Sequence, residues 1–262
     1  MTNETVSSQD IRGSISTLTI ADYQCSLYLP KQYNSSNISY FPVVYLLGES
    51  NILPIMQIVE KQFCPPFILL GIEAADWEKD FSPWNAEPLV KKSKPFTGGA
   101  PQFLLHLKQE IKPYIDSHFR TLPQPENTAL AGYSLAGLTT LFALYTTNFA
   151  HNFASMSGSL WFYQWTDFCS KQSSASSNKF RIYLSLGNTE KNSRHPLMSQ
   201  VDDCTQTTIA RLKKQFPQST DTIFFEYNNG GHFSEISSRI AKALVWLQKN
   251  YLYPADYNRE VR

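Results

Sequence analysis

The chain has 262 residues, 42% hydrophobic and 14% aromatic, enough for the core of one α/β domain spanning 1–262. Twenty-three basic residues stand against 22 acidic ones, a formal charge of +1, and no basic stripe interleaves with aromatics, so an electrostatically driven nucleic-acid binder is excluded. No apolar run approaches the length of a membrane span, and the four cysteines (Cys25, Cys64, Cys169, Cys204) form no C-x-x-C pair that would suggest a zinc site.

In chain order, residues 1–12 read as a loose polar arm, and the start Met1-Thr2-Asn3-Glu4-Thr5 lacks the pattern of a signal peptide. With scattered thiols, this gives a cytoplasmic expectation. Ser14 to Ile20 and Tyr23 to Leu29 alternate apolar and polar residues as half-buried antiparallel strands do. Lys31 to Ser39 reads as a polar loop. Phe41 to Leu47 is a near-continuous apolar run, the mark of a strand buried on both faces, and it ends in Gly48-Glu49-Ser50. Ile52 to Lys61 predicts a short helix with Pro54 in its first turn, and Phe67 to Ile72 the next buried strand. Glu73 to Gly99 is a long irregular stretch carrying Trp77, Trp84 and the cluster Lys91-Lys92-Ser93-Lys94. Pro101 to Phe119 has the helical period, with Phe103, Leu104, Leu107, Ile111, Tyr114 and Ile115 on one face.

Thr128 to Ala131 is a short buried strand, and Leu135 to Tyr145 a Leu-, Ala- and Phe-rich helix. Strands at Phe153–Met156, Phe180–Leu186 and Thr222–Tyr227 follow, with a Ser-rich loop at Gln172–Asn178 and helices at Val201–Phe216 and Glu235–Lys249. Strands alternating with helices predict a mostly parallel central sheet with helices on both faces.

Between the strand at 128 and its helix lies Gly132-Tyr133-Ser134-Leu135-Ala136-Gly137. A lone serine on a tight strand-to-helix turn between small residues is the context of a nucleophile elbow. Ser134 is the candidate nucleophile, and the backbone N–H of Leu135 a candidate oxyanion donor. The second donor comes from the loop after the earlier buried strand, at Glu49. Ser134 needs a base. His106 and His118 lie in the amphipathic helix, His151 between elements and His195 before a proline, whereas His232 follows Gly230-Gly231 in a loop just after a strand, where open α/β sheets carry their sites. The chain order serine, acid, histidine makes Glu190 the first choice for the acid, with Asp202 or Asp203, or a serine–histidine dyad, as the alternatives.

Taken with Phe81-Ser82-Pro83-Trp84, Glu110 to Asp116, Ser157-Gly158-Ser159-Leu160-Trp161 and Gly230-Gly231-His232, these segments resemble the putative esterase family of the α/β-hydrolase superfamily, from about Ser14 to Leu247. The resemblance is nearest to the siderophore (enterochelin-type) esterase branch. It implies an α/β-hydrolase fold and a serine esterase that cleaves carboxylic esters through an acyl-enzyme, on a small-molecule substrate such as a catecholate trilactone; that mechanism needs no cofactor, and the charge balance and the lack of a long apolar run give the expectation of no nucleic-acid or membrane partner. Ser134 and His232 match the family nucleophile and histidine, and Glu190 stands where some members carry the acid. Trp84 and Trp161 are candidate walls of the substrate pocket, with a place in the core as the alternative, and Lys91, Lys92 and Lys94 read first as a solvated loop, with attraction of an anionic ligand as the alternative. Two departures stand out: Ala136 where the elbow usually has Gly, and Gly48-Glu49 where the family commonly has His-Gly or Asp-Gly. The alternatives in function are an acyltransferase or thioesterase, which share the intermediate, and a non-catalytic binding protein on a hydrolase scaffold with a crippled oxyanion loop.

Overall fold

The computed structural model describes residues 5–6, 11–35, 38–172 and 179–249. Its frame is one nine-stranded sheet. The strands are β1 (Thr5–Val6), β2 (Ser14–Ile20), β3 (Tyr23–Leu29), β4 (Val43–Leu47), β5 (Ile68–Ile72), β8 (Thr128–Tyr133), β9 (Asn152–Met156), β10 (Arg181–Gly187) and β11 (Ile223–Asn228). β6 (Asn85–Ala86) and β7 (Phe96–Thr97) form a separate small hairpin. The spatial order is β1-β2-β3-β5-β4-β8-β9-β10-β11. From β5 to β11 all neighbours are parallel, and β1, β2 and β3 extend the sheet antiparallel at one edge. The parallel strands β4, β5 and β8 are buried along their whole length, as their unbroken apolar runs require.

Helices cover both faces. On one face lie α2 (Leu53–Val59) and α9 (Ile236–Lys249), whose Ile55, Met56, Ile240, Leu244 and Leu247 pack with Val44, Leu46 and Tyr183 of the sheet. On the other lie α4 (Ala100–His106), α5 (Lys112–His118), α6 (Leu135–Thr146), α7 (Trp165–Lys171) and α8 (Val201–Gln215). α1 (Lys31–Ser35) and α3 (Trp77–Asp80) are short.

Four sequence expectations need correction. The helix expected over 101–119 is one rod, Ala100 to His118, but its middle turn, Leu107–Ile111, is a π-helix. Pro113 has no N–H to donate, and the wider turn accommodates its ring. The stretch 73–99, expected to be irregular, contains two short elements: Asp76 caps α3 by accepting the Lys79 N–H (3.3 Å), and β6 and β7 form a hairpin. The polar segment after Leu29 contains α1. Of the arm expected at 1–12, residues 1–4 and 7–10 lie outside the described residues, but Thr5–Val6 pairs with β2, and the Arg12 guanidinium donates to the Glu60 carbonyl (2.5 Å). Most of the Ser-rich loop, 173–178, also lies outside them.

The chain lays β4 and β5 to one side of the sheet and then crosses to place β8 on the other side of β4. That reversal leaves a crevice at the carboxyl ends of β4 and β8, the place where open α/β sheets bind ligands.

Candidate active site

Strand register brings the candidate residues to one end of the sheet. Leu47 pairs with Gly132, Tyr133 with Met156 and Gly187 with Asn228, so the loops after β4, β8, β10 and β11 leave the sheet side by side. Ser134 sits between β8 and α6 at φ 58°, ψ −122°, a strained conformation for an L residue. The elbow closes tightly: a Cβ at Gly132 would run into the Ala136 carbonyl, and one at Gly137 would lie 2.9 Å from Gly132 O and 3.0 Å from Ser155 Oγ. Position 136 carries a methyl, and this Ala is fully buried between strand and helix.

Ser134 Oγ lies 2.9 Å from His232 Nε2, and His232 Nδ1 lies 2.8 Å from Glu190 Oε2. Glu190 is held by more than the histidine. Its Oε1 accepts from the Gly187 N–H (2.7 Å), the Ser157 hydroxyl (2.7 Å) and Arg239 Nη1 (3.2 Å). Burial pushes the Glu190 carboxyl up, but the bonds from His232, Ser157 and Gly187 outweigh it and hold the pKa below the ordinary glutamate value. The other acids stand elsewhere. Asp202 accepts from the Tyr227 hydroxyl (2.6 Å) and lies 3.7 Å from Lys191 Nζ, and Asp203 is exposed on α8.

The remaining histidines have local partners. His106 contacts Glu110 (2.5 Å), His118 stacks on Tyr114, His151 lies 3.6 Å from Glu126, and His195 reaches the Leu89 carbonyl (2.9 Å). Lys94 is paired with Asp76 at 3.1 Å.

The N–H of Leu135 opens α6 and has no acceptor within its helix. Glu49 follows Gly48, which turns the chain at φ +77° with Trp77 and Phe81 packed against it. The Glu49 carboxylate accepts the Asn51 N–H (2.8 Å) and so folds back over its own loop. Burial, reinforced by Glu73, raises its pKa against the lowering effect of that N–H.

Beside Ser134 opens a cavity of about 370 Å³. Its apolar lining includes Trp77, Leu89, Phe96, Trp161, Met198 and Phe233, with Glu49 and Glu78 as the charged members. Trp161 is therefore at the wall where sequence placed it. Trp84 is not: its indole N–H donates to the Tyr163 carbonyl (2.9 Å) and its ring packs on Phe142, Phe162 and Phe168, a core role. Trp77 occupies the wall instead. Among the described residues no cluster of His, Cys, Asp and Glu is arranged to hold a metal ion, and no helix is long and apolar enough to cross a membrane.

Sequence reasoning also missed Arg239, which is 1% exposed. The signal was present: Ile236, Ile240, Ala243, Leu244 and Leu247 form the apolar stripe of α9, and Arg239 falls inside it.

A sheet of this order, with a serine at a strand-to-helix elbow in line with a histidine and a carboxylate, defines an α/β-hydrolase of the serine type. The chain belongs to the esterase family described as "Putative esterase", which it matches over residues 16–235, and it is a carboxylic-ester hydrolase. It is 25% identical over 245 residues to the uncharacterized protein YbbA of Bacillus subtilis (strain 168), covering 90% of this chain and 97% of that one. Among solved structures it is similar to an IroE-like serine hydrolase from Shewanella oneidensis (TM-score 0.73, 22% identity, 95% of this chain and 80% of that one). It is also similar to the siderophore hydrolase EstA from Aspergillus nidulans (TM-score 0.70, 18% identity, 87% and 90%).

Proposed function

We propose that Ser134 is the nucleophile, His232 the general base and Glu190 the residue that orients it, in ester hydrolysis through an acyl-enzyme. The observation that carries this reading is the unbroken line from Ser134 Oγ to His232 Nε2 (2.9 Å) and from His232 Nδ1 to Glu190 Oε2 (2.8 Å). His232 takes the Ser134 proton as the oxygen attacks the ester carbonyl. The oxyanion is held by the N–H groups of Leu135 and Glu49, each such donor contributing about 3 kcal/mol. Collapse expels the alcohol, which receives the proton from His232. Water, deprotonated by His232, then releases the acid.

For the substrate we favour a siderophore ester of the catecholate trilactone type. The similarity to the siderophore hydrolase EstA of Aspergillus nidulans supports the siderophore class, and the aromatic walls Trp77, Phe96, Trp161 and Phe233, which offer faces to a flat acyl group, support the catecholate type. A reducing cytoplasm fits the four unpaired thiols.

The test is hydrolysis of p-nitrophenyl esters across acyl lengths by wild type, Ser134→Ala and His232→Ala, followed by ferric and iron-free catecholate trilactones. Each single variant is expected to lose on the order of 10⁴–10⁶-fold in kcat, and a fluorophosphonate probe to label wild type but not Ser134→Ala. Full activity in Ser134→Ala would refute the assignment.

A further inference from the structure

Arg239 makes five hydrogen bonds, all directed at the parts that surround His232. Nη1 donates to Glu190 Oε1 (3.2 Å), Ser157 Oγ (3.1 Å) and the Tyr133 hydroxyl (3.0 Å). Nη2 donates to the carbonyls of Asn229 and Gly231, both at 2.9 Å. The Tyr133 hydroxyl in turn donates to the carbonyl of His232 itself (2.6 Å). One guanidinium thus touches the acid, the turn that delivers the histidine, and the residue before the nucleophile. Its Nε is buried without a partner, an unfavourable arrangement that an apolar residue in the same stripe would avoid.

We propose that Arg239 is a positioning residue of the hydrolase: it clamps the 229–232 turn and the Glu190 carboxylate so that His232 stands between Ser134 and Glu190. The proposal rests on the assignment of His232 as base. Two consequences are separable. The first is geometric. Without the fork, the Asn229 carbonyl loses its donor, the Gly231 carbonyl and Glu190 Oε1 each lose one of theirs, and the turn that delivers His232 is no longer tied to α9. The second is electrostatic. The charged groups facing His232 are Glu190 on the loop after β10, Arg239 on α9 and, across the cavity, Glu49 and Glu78. Arg239 is the cation among them, and it offsets Glu190 directly. Once it is removed, the full carboxylate charge favours the imidazolium, which cannot accept the Ser134 proton. Arg239 does not line the substrate cavity, so neither consequence acts on substrate binding.

The experiment compares Arg239→Met and Arg239→Lys with wild type on one p-nitrophenyl ester, with rates expressed per fluorophosphonate-titrated site. Arg239→Met is expected to lose about 10²-fold in kcat, the cost of moving a reacting group by about an ångström, with KM within about twofold. The rising limb of its kcat/KM profile should move to higher pH. Arg239→Lys keeps the charge but not the fork: its limb should stay at the wild-type pH while kcat falls about tenfold. Wild-type kcat in both variants, or a raised KM with unchanged kcat, overturns the proposal. If Arg239→Met does not fold, Arg239→Lys decides alone, and wild-type kcat there overturns the clamp. His232→Ala, measured in parallel per mole of protein, separates the two levels: wild-type activity in it refutes the assignment of the base, whereas inactivity beside a wild-type-like Arg239→Lys refutes only the role of the arginine.

Discussion

Ser134 is held at φ 58°, where L residues sit at a cost of about 1–3 kcal/mol. This backbone lifts the hydroxyl out of the strand to within 2.9 Å of His232 Nε2, the placement that the proposed nucleophile needs. Glycine adopts that backbone without penalty, so Ser134→Gly and Ser134→Ala, both expected to be inactive under the proposed assignment, should differ in stability. Ser134→Gly should be more stable, by about 1 kcal/mol after the extra chain entropy of glycine is counted, a difference that urea melts would read. Glu190 gives a second expectation. Its folded pKa lies below the ordinary 4.5, so its contribution to stability is complete above that value and is lost as pH falls through the lower folded one. Denaturant midpoints measured across the acid range should show Glu190→Gln losing less stability on acidification than wild type. Ser134, Glu190 and His232 could be singled out because each lies just past the carboxyl end of a strand of the sheet, where position restricts the choice. Arg239 and Ser157 were not, because their role is to hold another side chain, and no motif spacing marks that contact.

At the level of elements, the loops at the carboxyl edge are fixed by close backbone packing more than by side chains. A Cβ at Gly187 would strike the Gly230 carbonyl and stand 2.8 Å from Glu190 Oε1 and 2.9 Å from Arg239 Nη2. Gly187→Ala is therefore expected to pry apart the two loops that carry Glu190 and His232. Esterase activity should fall by about 10²-fold while the circular dichroism of the helices is kept. Strands with unbroken apolar runs, β4, β5 and β8, were readable to within a residue or two. The stretch 73–99 was not, since α3 has four residues and the β6–β7 strands two each, too short for any periodicity to register. For the same reason the cavity wall was misassigned. Trp77 and Trp84 are both tryptophans in one irregular stretch, and only the cap on α3 and the hairpin decide that the first faces the cavity and the second the core.

The whole molecule is a sheet clasped between two unequal helix layers. On the thinner side, α2 and α9 are the helices among the described residues that cover the parallel strands, so this layer has little redundancy. Leu244→Ala, at a fully buried position of α9, is expected to cost about 2–5 kcal/mol, readable as a lower thermal midpoint accompanied by loss of esterase rate, since the same helix carries Arg239. Strand–helix alternation made the parallel sheet foreseeable, but not the order in which strands lie, because the crossing between β5 and β8 depends on how helices pack and leaves no trace in local pattern. The free thiols carry a further consequence. Cys25 lies in β3 at the antiparallel flank and Cys169 in α7 at the opposite flank, and burial pushes both thiols up to about 12. Neither reacts while its surroundings stay closed. Alkylation of the native enzyme therefore clocks the transient opening of each flank, and equal rates at the two sites would show that the sheet opens as one cooperative body.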